Sequence, residues 1–201
     1  MISALLLAAA STGAPKPVRS LAYSFTAVTA SAHSSGTITA DVMGGAKDGA
    51  LVVRFAQTAD GTPAQTLPAS VCWVYGDTRV SCNDPKGLSP IETELAHLLG
   101  RDFVDGNNLD AKNHWRIAGS LGASSVTDDF TVTANDNGVL AITEARETTG
   151  TGASKHDAQI GYDMNRTVPL SVHYTQTGDN AATVDLKLTS DSLQTAKPAK
   201  P

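Results

Sequence analysis

The chain has 201 residues, and its 15 Lys and Arg stand against 20 Asp and Glu for a formal net charge of −5. That length suits one domain with a substantial core, and an acidic balance without a basic cluster excludes DNA and RNA, whose binding draws on Lys and Arg contacts to phosphate. Few charges among abundant Thr, Ser, Ala and Gly favour β-structure facing water outside the cell.

At the N-terminus, Ile2 to Ala10 is an apolar run too short to span a bilayer. Ala8 and Ala10 meet the small-x-small requirement for leader cleavage before Ser11, although no positive charge precedes Ile2. Residues 1–17 are therefore expected to be a leader or N-terminal arm, and the protein extracytoplasmic, periplasmic or secreted, without a transmembrane span. No Cys follows the run, so no lipid anchor is expected. Residues 18–193 form one β-rich domain in this reading.

Period-two alternation then dominates. Leu21, Tyr23, Phe25 and Ala27 line one face of a first strand; Ile38, Ala40 and Val42 a second; and Leu51, Val53 and Phe55 a third, after the turn signals Gly44-Gly45 and Asp48-Gly49. Strands adjacent in sequence pair antiparallel by default. In a hairpin from Val71 to Cys82, a loop at Gly76-Asp77-Thr78 sets Val74 opposite Val80 and Cys72 opposite Cys82, with Trp73 and Tyr75 on the other face. That register predicts a Cys72–Cys82 disulfide. The alternative, a redox pair, lacks the C-x-x-C spacing that lowers a thiol pKa.

One segment breaks the alternation. Ser89 as N-cap, Pro90 at the first helical position and Glu92 closing a capping box open a helix predicted over residues 90–104. Ile91, Leu95, Leu98, Leu99 and Phe103 give it one apolar stripe, ending near Gly106-Asn107-Asn108. Strands resume with Trp115 and Ile117. A second hairpin runs from Asp129 to Glu147 around a type I turn at Asn135-Asp136-Asn137-Gly138, with Phe130 and Val132 facing Glu144 and Ile142, and Ala134 opposite Leu140. Ile160 and Tyr162 follow, then the pair Leu170, Val172, Tyr174 and Val184, Leu186, Leu188. The tail 194–201 is expected to be solvated.

Chemistry is marked mostly by absences. There is no H-E-x-x-H, G-x-S-x-G, S-x-x-K, P-loop or dinucleotide fingerprint, so neither an enzyme nor a cofactor is expected. The five His share no ligand spacing, and no metal is expected either. His97 and His173 read as solvated, and His114 beside Trp115 is the one to watch. Thr133, Asn135, Asn137, Gly138 and Glu144 follow calcium-loop spacing without its first Asp, but the same residues make the hairpin. Asp128, Asp129, Glu144 and Glu147 read as surface charge rather than a glycosidase acid/base pair, and Asn165-Arg166-Thr167 as a surface turn.

The expected fold is mainly β (α+β): a curved antiparallel meander or half-barrel of about nine to eleven strands packed on one helix. The alternative is a closed barrel or sandwich with a peripheral helix. The order of elements, strands from Leu21 to Phe55, the helix from Pro90 to Val104 and a closing hairpin around Val168-Pro169-Leu170-Ser171-Val172, resembles the bowl-shaped bacterial lipoprotein-localisation factor and related periplasmic lipid carriers. That resemblance implies an apolar cavity for acyl chains between sheet and helix. Its lining would come from Leu95, Leu98, Leu99 and Phe103 on the helix and from Tyr23, Phe25, Val53, Phe55, Leu170 and Val172 on the strands. A non-enzymatic carrier of a lipid-like ligand is the first functional expectation. A structural or surface-interaction domain is the second, and a hydrolase of unrecognised type the third.

Overall fold

Alternation read from the sequence reappears as burial. In β1 (Arg19–Thr29) Leu21, Tyr23, Phe25 and Ala27 point inward while their neighbours stay partly or fully in solvent, as the pleat requires. A computed structural model describes residues 16–60, 64–75, 79–84, 88–100, 103–104, 113–121, 123–178 and 181–193. Residues 1–15 of the predicted leader, the 76–78 loop, the 106–108 helix stop and the 194–201 tail lie outside the described residues.

After β1 come β2 (His33–Gly45), β3 (Leu51–Ala59), the two-residue β4 (Gln65–Thr66), β5 (Ser70–Val74), β6 (Val80–Cys82) and the helix α1 (Pro90–Leu98). The second half is β7 (His114–Leu121), β8 (Ser124–Asp136), β9 (Val139–Thr149), β10 (Ser154–Asp163), β11 (Val168–Gly178) and β12 (Ala182–Asp191). All twelve strands join one antiparallel sheet in the order β6-β5-β3-β2-β1-β12-β11-β10-β9-β8-β7, with β4 added to β3. Two meanders thus meet at the β1–β12 pair, and β6 and β7 are left as the edges. The sheet is open, so the alternative of a closed barrel or sandwich is corrected: the chain leaves at edge β6, crosses one face as α1 and re-enters at edge β7. The twelve strands exceed the expected nine to eleven because the two-residue β4 is too short to show a period.

The topology forces curvature. Eleven strands spaced about 4.8 Å apart would spread roughly 48 Å if flat, whereas a nine-residue helix is about 14 Å long. Yet α1 packs against edge strand β6 and central strand β11, and Phe103, just beyond it, makes an edge contact with Trp115 on the opposite edge, ring centroids 5.6 Å apart. The sheet must curl around the helix for both contacts to exist. One continuous apolar core results, running through both meanders and α1.

The capping box forms as predicted. Glu92 N–H donates to Ser89 Oγ at 3.2 Å, Ser89 N–H donates to Glu92 Oε2 at 2.9 Å, and Pro90 occupies the first turn. Ser89 Oγ also donates to Gln57 Oε1 at 2.8 Å, tying the helix start to β3. The helix is shorter than the predicted 90–104. Leu99 is its C-cap, with N–H bonds to Leu95 O and Ala96 O, and Gly100 follows. Phe103 is still buried, but a turn holds it, its N–H on Gly100 O at 3.0 Å; aromatic packing and not helical periodicity places it there.

The first hairpin has the predicted register: Cys72 pairs with Cys82 and Val74 with Val80, and the two cysteines are bonded with Cα atoms 4.1 Å apart. The second is corrected. Asn137 and Gly138 have φ of 52° and 87°, the signature of a two-residue type I′ turn between paired Asp136 and Val139. Phe130 and Val132 keep their predicted partners Glu144 and Ile142, but a bulge after Val132 moves Ala134 opposite Ala141 and gives Leu140 to Asn135. The extra residue lets an Asn-Gly turn close without turning the apolar face outward.

Candidate functional site

Below α1 the concave face changes from apolar to ionic. On β8 the inward positions run Val126, Asp128, Phe130; on β9 they run Ile142, Glu144, Arg146; on β10 they run His156, Ala158, Ile160. Cross-strand pairing sets Asp128 beside Arg146 and Arg146 beside His156, a row of three across β8, β9 and β10. Glu144 lies one inward position along β9, and Glu94 descends from α1 to close the cluster. Glu94, Glu144 and His156 are each at most 3% exposed.

Arg146 is the hub. Its Nε donates to Asp128 Oδ2 at 2.9 Å and its Nη1 to Glu94 Oε2 at 3.1 Å. Its Nη2 makes an ion pair with Glu144 Oε1, and the Glu144 carboxyl also meets Asp128 across the strands. His156 Nε2 stands 3.7 Å from Glu144 Oε1 and 3.8 Å from Glu94 Oε1, and neither ring nitrogen is hydrogen-bonded. The imidazole lies against the Tyr174 ring, centroids 4.6 Å apart.

Burial dominates the titration of this cluster. It pushes Glu144 up to about 11, reinforced by the charge of Glu94 and only partly offset by Arg146. Glu94 is also desolvated, but Arg146 above all outweighs that and holds its carboxyl below the ordinary range. His156 and half-buried His97 are both lowered, first by burial, which penalises the imidazolium. At neutral pH the cluster therefore holds a protonated Glu144 and a neutral His156.

Asp128 and Arg146 also form part of the wall of a groove of about 620 Å³ at the C-terminal end of α1. Its other walls include Leu98, Phe103, Ile117, Val126 and Phe130, with His97 and Arg79 among the polar groups. A second groove of about 720 Å³ opens at the helix N-terminus, lined mainly by small and polar side chains around Ile91, Tyr174 and Val184. Of the side chains predicted to line a cavity, Leu98 and Phe103 border the first groove. Tyr23, Phe25, Val53, Phe55, Leu95, Leu99 and Val172 are core, at most 4% exposed, and Leu170 is half-buried.

Several sequence readings change in three dimensions. Asp128 and Glu144 are not surface charge, because their alternation phase turns them inward; Asp129 instead binds Arg116 and His114 on the outer face. His173 is on that outer face, solvated as expected, and pairs with Asp185 at 2.8 Å. His97 is not solvated but half-buried in the groove wall. The cluster itself escaped the sequence reading, which set polar residues aside one at a time. The signal was their phase: His156 alternates in step with Ala158 and Ile160, and Glu144 with Leu140 and Ile142.

Comparison with known proteins assigns the chain to no family: no family model matches it, and neither does any curated protein.

Proposed function

We propose that this chain is a non-enzymatic extracytoplasmic binding or carrier protein for an amphiphilic, lipid-like ligand. The observation that carries this reading is the groove beside α1, where Leu98, Phe103, Ile117, Val126 and Phe130 offer an apolar wall and Asp128 and Arg146 a polar one. A volume of about 620 Å³ is on the scale of small-ligand sites. The element order that resembles the periplasmic lipid carriers supports the same class, and the Cys72–Cys82 disulfide fits an oxidising compartment. No helix among the described residues is long and apolar enough to cross a membrane.

A surface-interaction domain without a small ligand is the second reading, favoured by the packing of most predicted lining residues into the core. Native mass spectrometry of the purified protein, together with titration by a fluorescent long-chain fatty acid, separates the two. A copurifying lipid, or saturable one-to-one uptake, is expected of a carrier. A bare chain that takes up none of the probe belongs to the second reading.

A further inference from the structure

We propose that Glu94, Glu144 and His156 form a binding site for a divalent transition-metal ion of the zinc class. The site rests on its own geometry and does not depend on the carrier reading. One atom from each residue lies within 4.8 Å of the other two, and His156 Nε2 is 3.7 and 3.8 Å from the two carboxylate oxygens. Ligand atoms about 2.1 Å from a tetrahedral ion stand roughly 3.4 Å apart, so closing the site takes side-chain shifts of well under one rotamer step on two of its three sides.

Unmet bonding capacity points the same way. Glu94 Oε1 and both His156 nitrogens are buried without a hydrogen-bond partner, and Glu144 has only the Arg146 ion pair and a carboxyl–carboxylate contact with Asp128, whereas buried polar atoms are nearly always paired. Of these atoms, His156 Nε2 is the one that faces both Glu94 Oε1 and Glu144 Oε1. Charge agrees: the carboxylates of Glu94, Glu144 and Asp128 face one guanidinium, Arg146, and a neutral imidazole, leaving two negative charges uncompensated when all three acids ionise. A divalent ion balances both. A single proton on Glu144 balances one and satisfies fewer of the orphaned atoms.

The donor set selects the metal. One imidazole nitrogen with two carboxylates suits borderline ions such as zinc, and the absence of a thiolate disfavours softer ones. To take an ion, Glu144 Oε1 must turn from its ion-pair partner Arg146 Nη2, while Arg146 keeps Asp128 Oδ2 at 2.9 Å and Glu94 Oε2 at 3.1 Å, neither of which is a ligand atom in this arrangement. Asp128 and Arg146 also line the groove, which gives an ion a path to the cluster past two side chains.

The test uses chelator-treated full-length protein equilibrated with Co²⁺, whose tetrahedral complexes absorb in the visible, followed by Zn²⁺ competition. Wild type is expected to bind one Co²⁺ per chain, to show that band and to lose it on adding Zn²⁺. Glu144→Gln mimics the protonated carboxyl in size and charge and should fold, but bind at least about a hundredfold more weakly, the upper end of what loss of an outer-shell partner costs. Glu94→Gln should weaken binding similarly, and His173→Gln on the outer face should leave it unchanged. In wild type alone, Co²⁺ should broaden the His156 ring resonances beyond those of the other histidines, a readout independent of variant folding. No uptake by wild type at millimolar metal, or unchanged affinity in both glutamine variants, would overturn the site and leave the cluster a proton-sharing network.

Discussion

His156 Nε2 stands 3.7 Å from Glu144 Oε1, two side chains on neighbouring strands meeting beneath α1. Around them lie Glu94 and His97 on α1, Asp128 on β8, Arg146 on β9 and Tyr174 on β11. In metal-free protein this arrangement makes stability depend on pH. Burial raises Glu144 from an ordinary 4.5 to about 11, so between those values the folded chain holds a proton that the unfolded chain has released, and stability falls as pH rises. His97 and His156, lowered from 6.5, act oppositely on the acid side: there the unfolded chain binds the extra protons, and stability rises toward neutrality. Stability should therefore peak near neutral pH and fall by up to about 1.4 kcal/mol per unit between pH 7 and 9, the slope of one proton. Urea unfolding across that range measures it. Glu144→Gln should abolish the alkaline slope; a variant that keeps it would place the proton on another group.

At the opposite edge, the Cys72–Cys82 bond holds the three-residue β6 to β5. Closing a loop of ten residues' separation stabilises by roughly 2–3 kcal/mol in the chain-entropy picture. The double substitution Cys72→Ala, Cys82→Ala should lower the urea-derived stability by that amount without changing the secondary structure seen by circular dichroism. Thiol titration of denatured, unreduced wild type should find no free thiol, and two per chain would contradict the bond.

Ser89 has two roles in one hydroxyl: it accepts from Glu92 N–H and donates to Gln57 Oε1. Ser89→Ala should cost about 1–2 kcal/mol, combining a lost N-cap with a Gln57 oxygen left without its donor. Thermal melts that coincide would mean that water replaces both bonds and that the cap contributes nothing to the fold.

Local chemistry was legible where one residue type dictates one geometry. Ser89, Pro90 and Glu92 fixed the start of α1, and the matched faces of Cys72 and Val74 with Cys82 and Val80 fixed the register of the first hairpin. The bulge after Val132 was not legible, because the Asn137-Gly138 turn and a longer loop differ by one residue that only the partner strand can count. The ionic cluster was hidden for another reason. Its members are spread from Glu94 to His156, and only the sheet order brings β8, β9 and β10 under α1. Asp128 and Glu144 read as surface charge, and the phase that turns them inward shows only against the apolar residues of their own strands.

The carrier reading is tested most sharply at Gly119 on the edge strand β7. Leu98 borders the same groove but is only 1% exposed, so a larger side chain there would overpack the core and cost roughly 1–3 kcal/mol, confusing lost binding with lost stability. Gly119 is different: it is exposed, it lines the groove, and a Cβ built on it meets nothing within 4 Å. It shares the alternation phase of Trp115 and Ile117, so a side chain there enters the groove instead of the outer surface. Gly119→Trp should leave the melting temperature unchanged or slightly higher, since an aromatic suits a strand better than glycine. The same change should weaken uptake of a fluorescent long-chain fatty acid at least tenfold, a loss of about 1.4 kcal/mol of binding free energy. If wild type binds the probe and Gly119→Trp binds it equally well, the ligand sits elsewhere and the groove is not the carrier site.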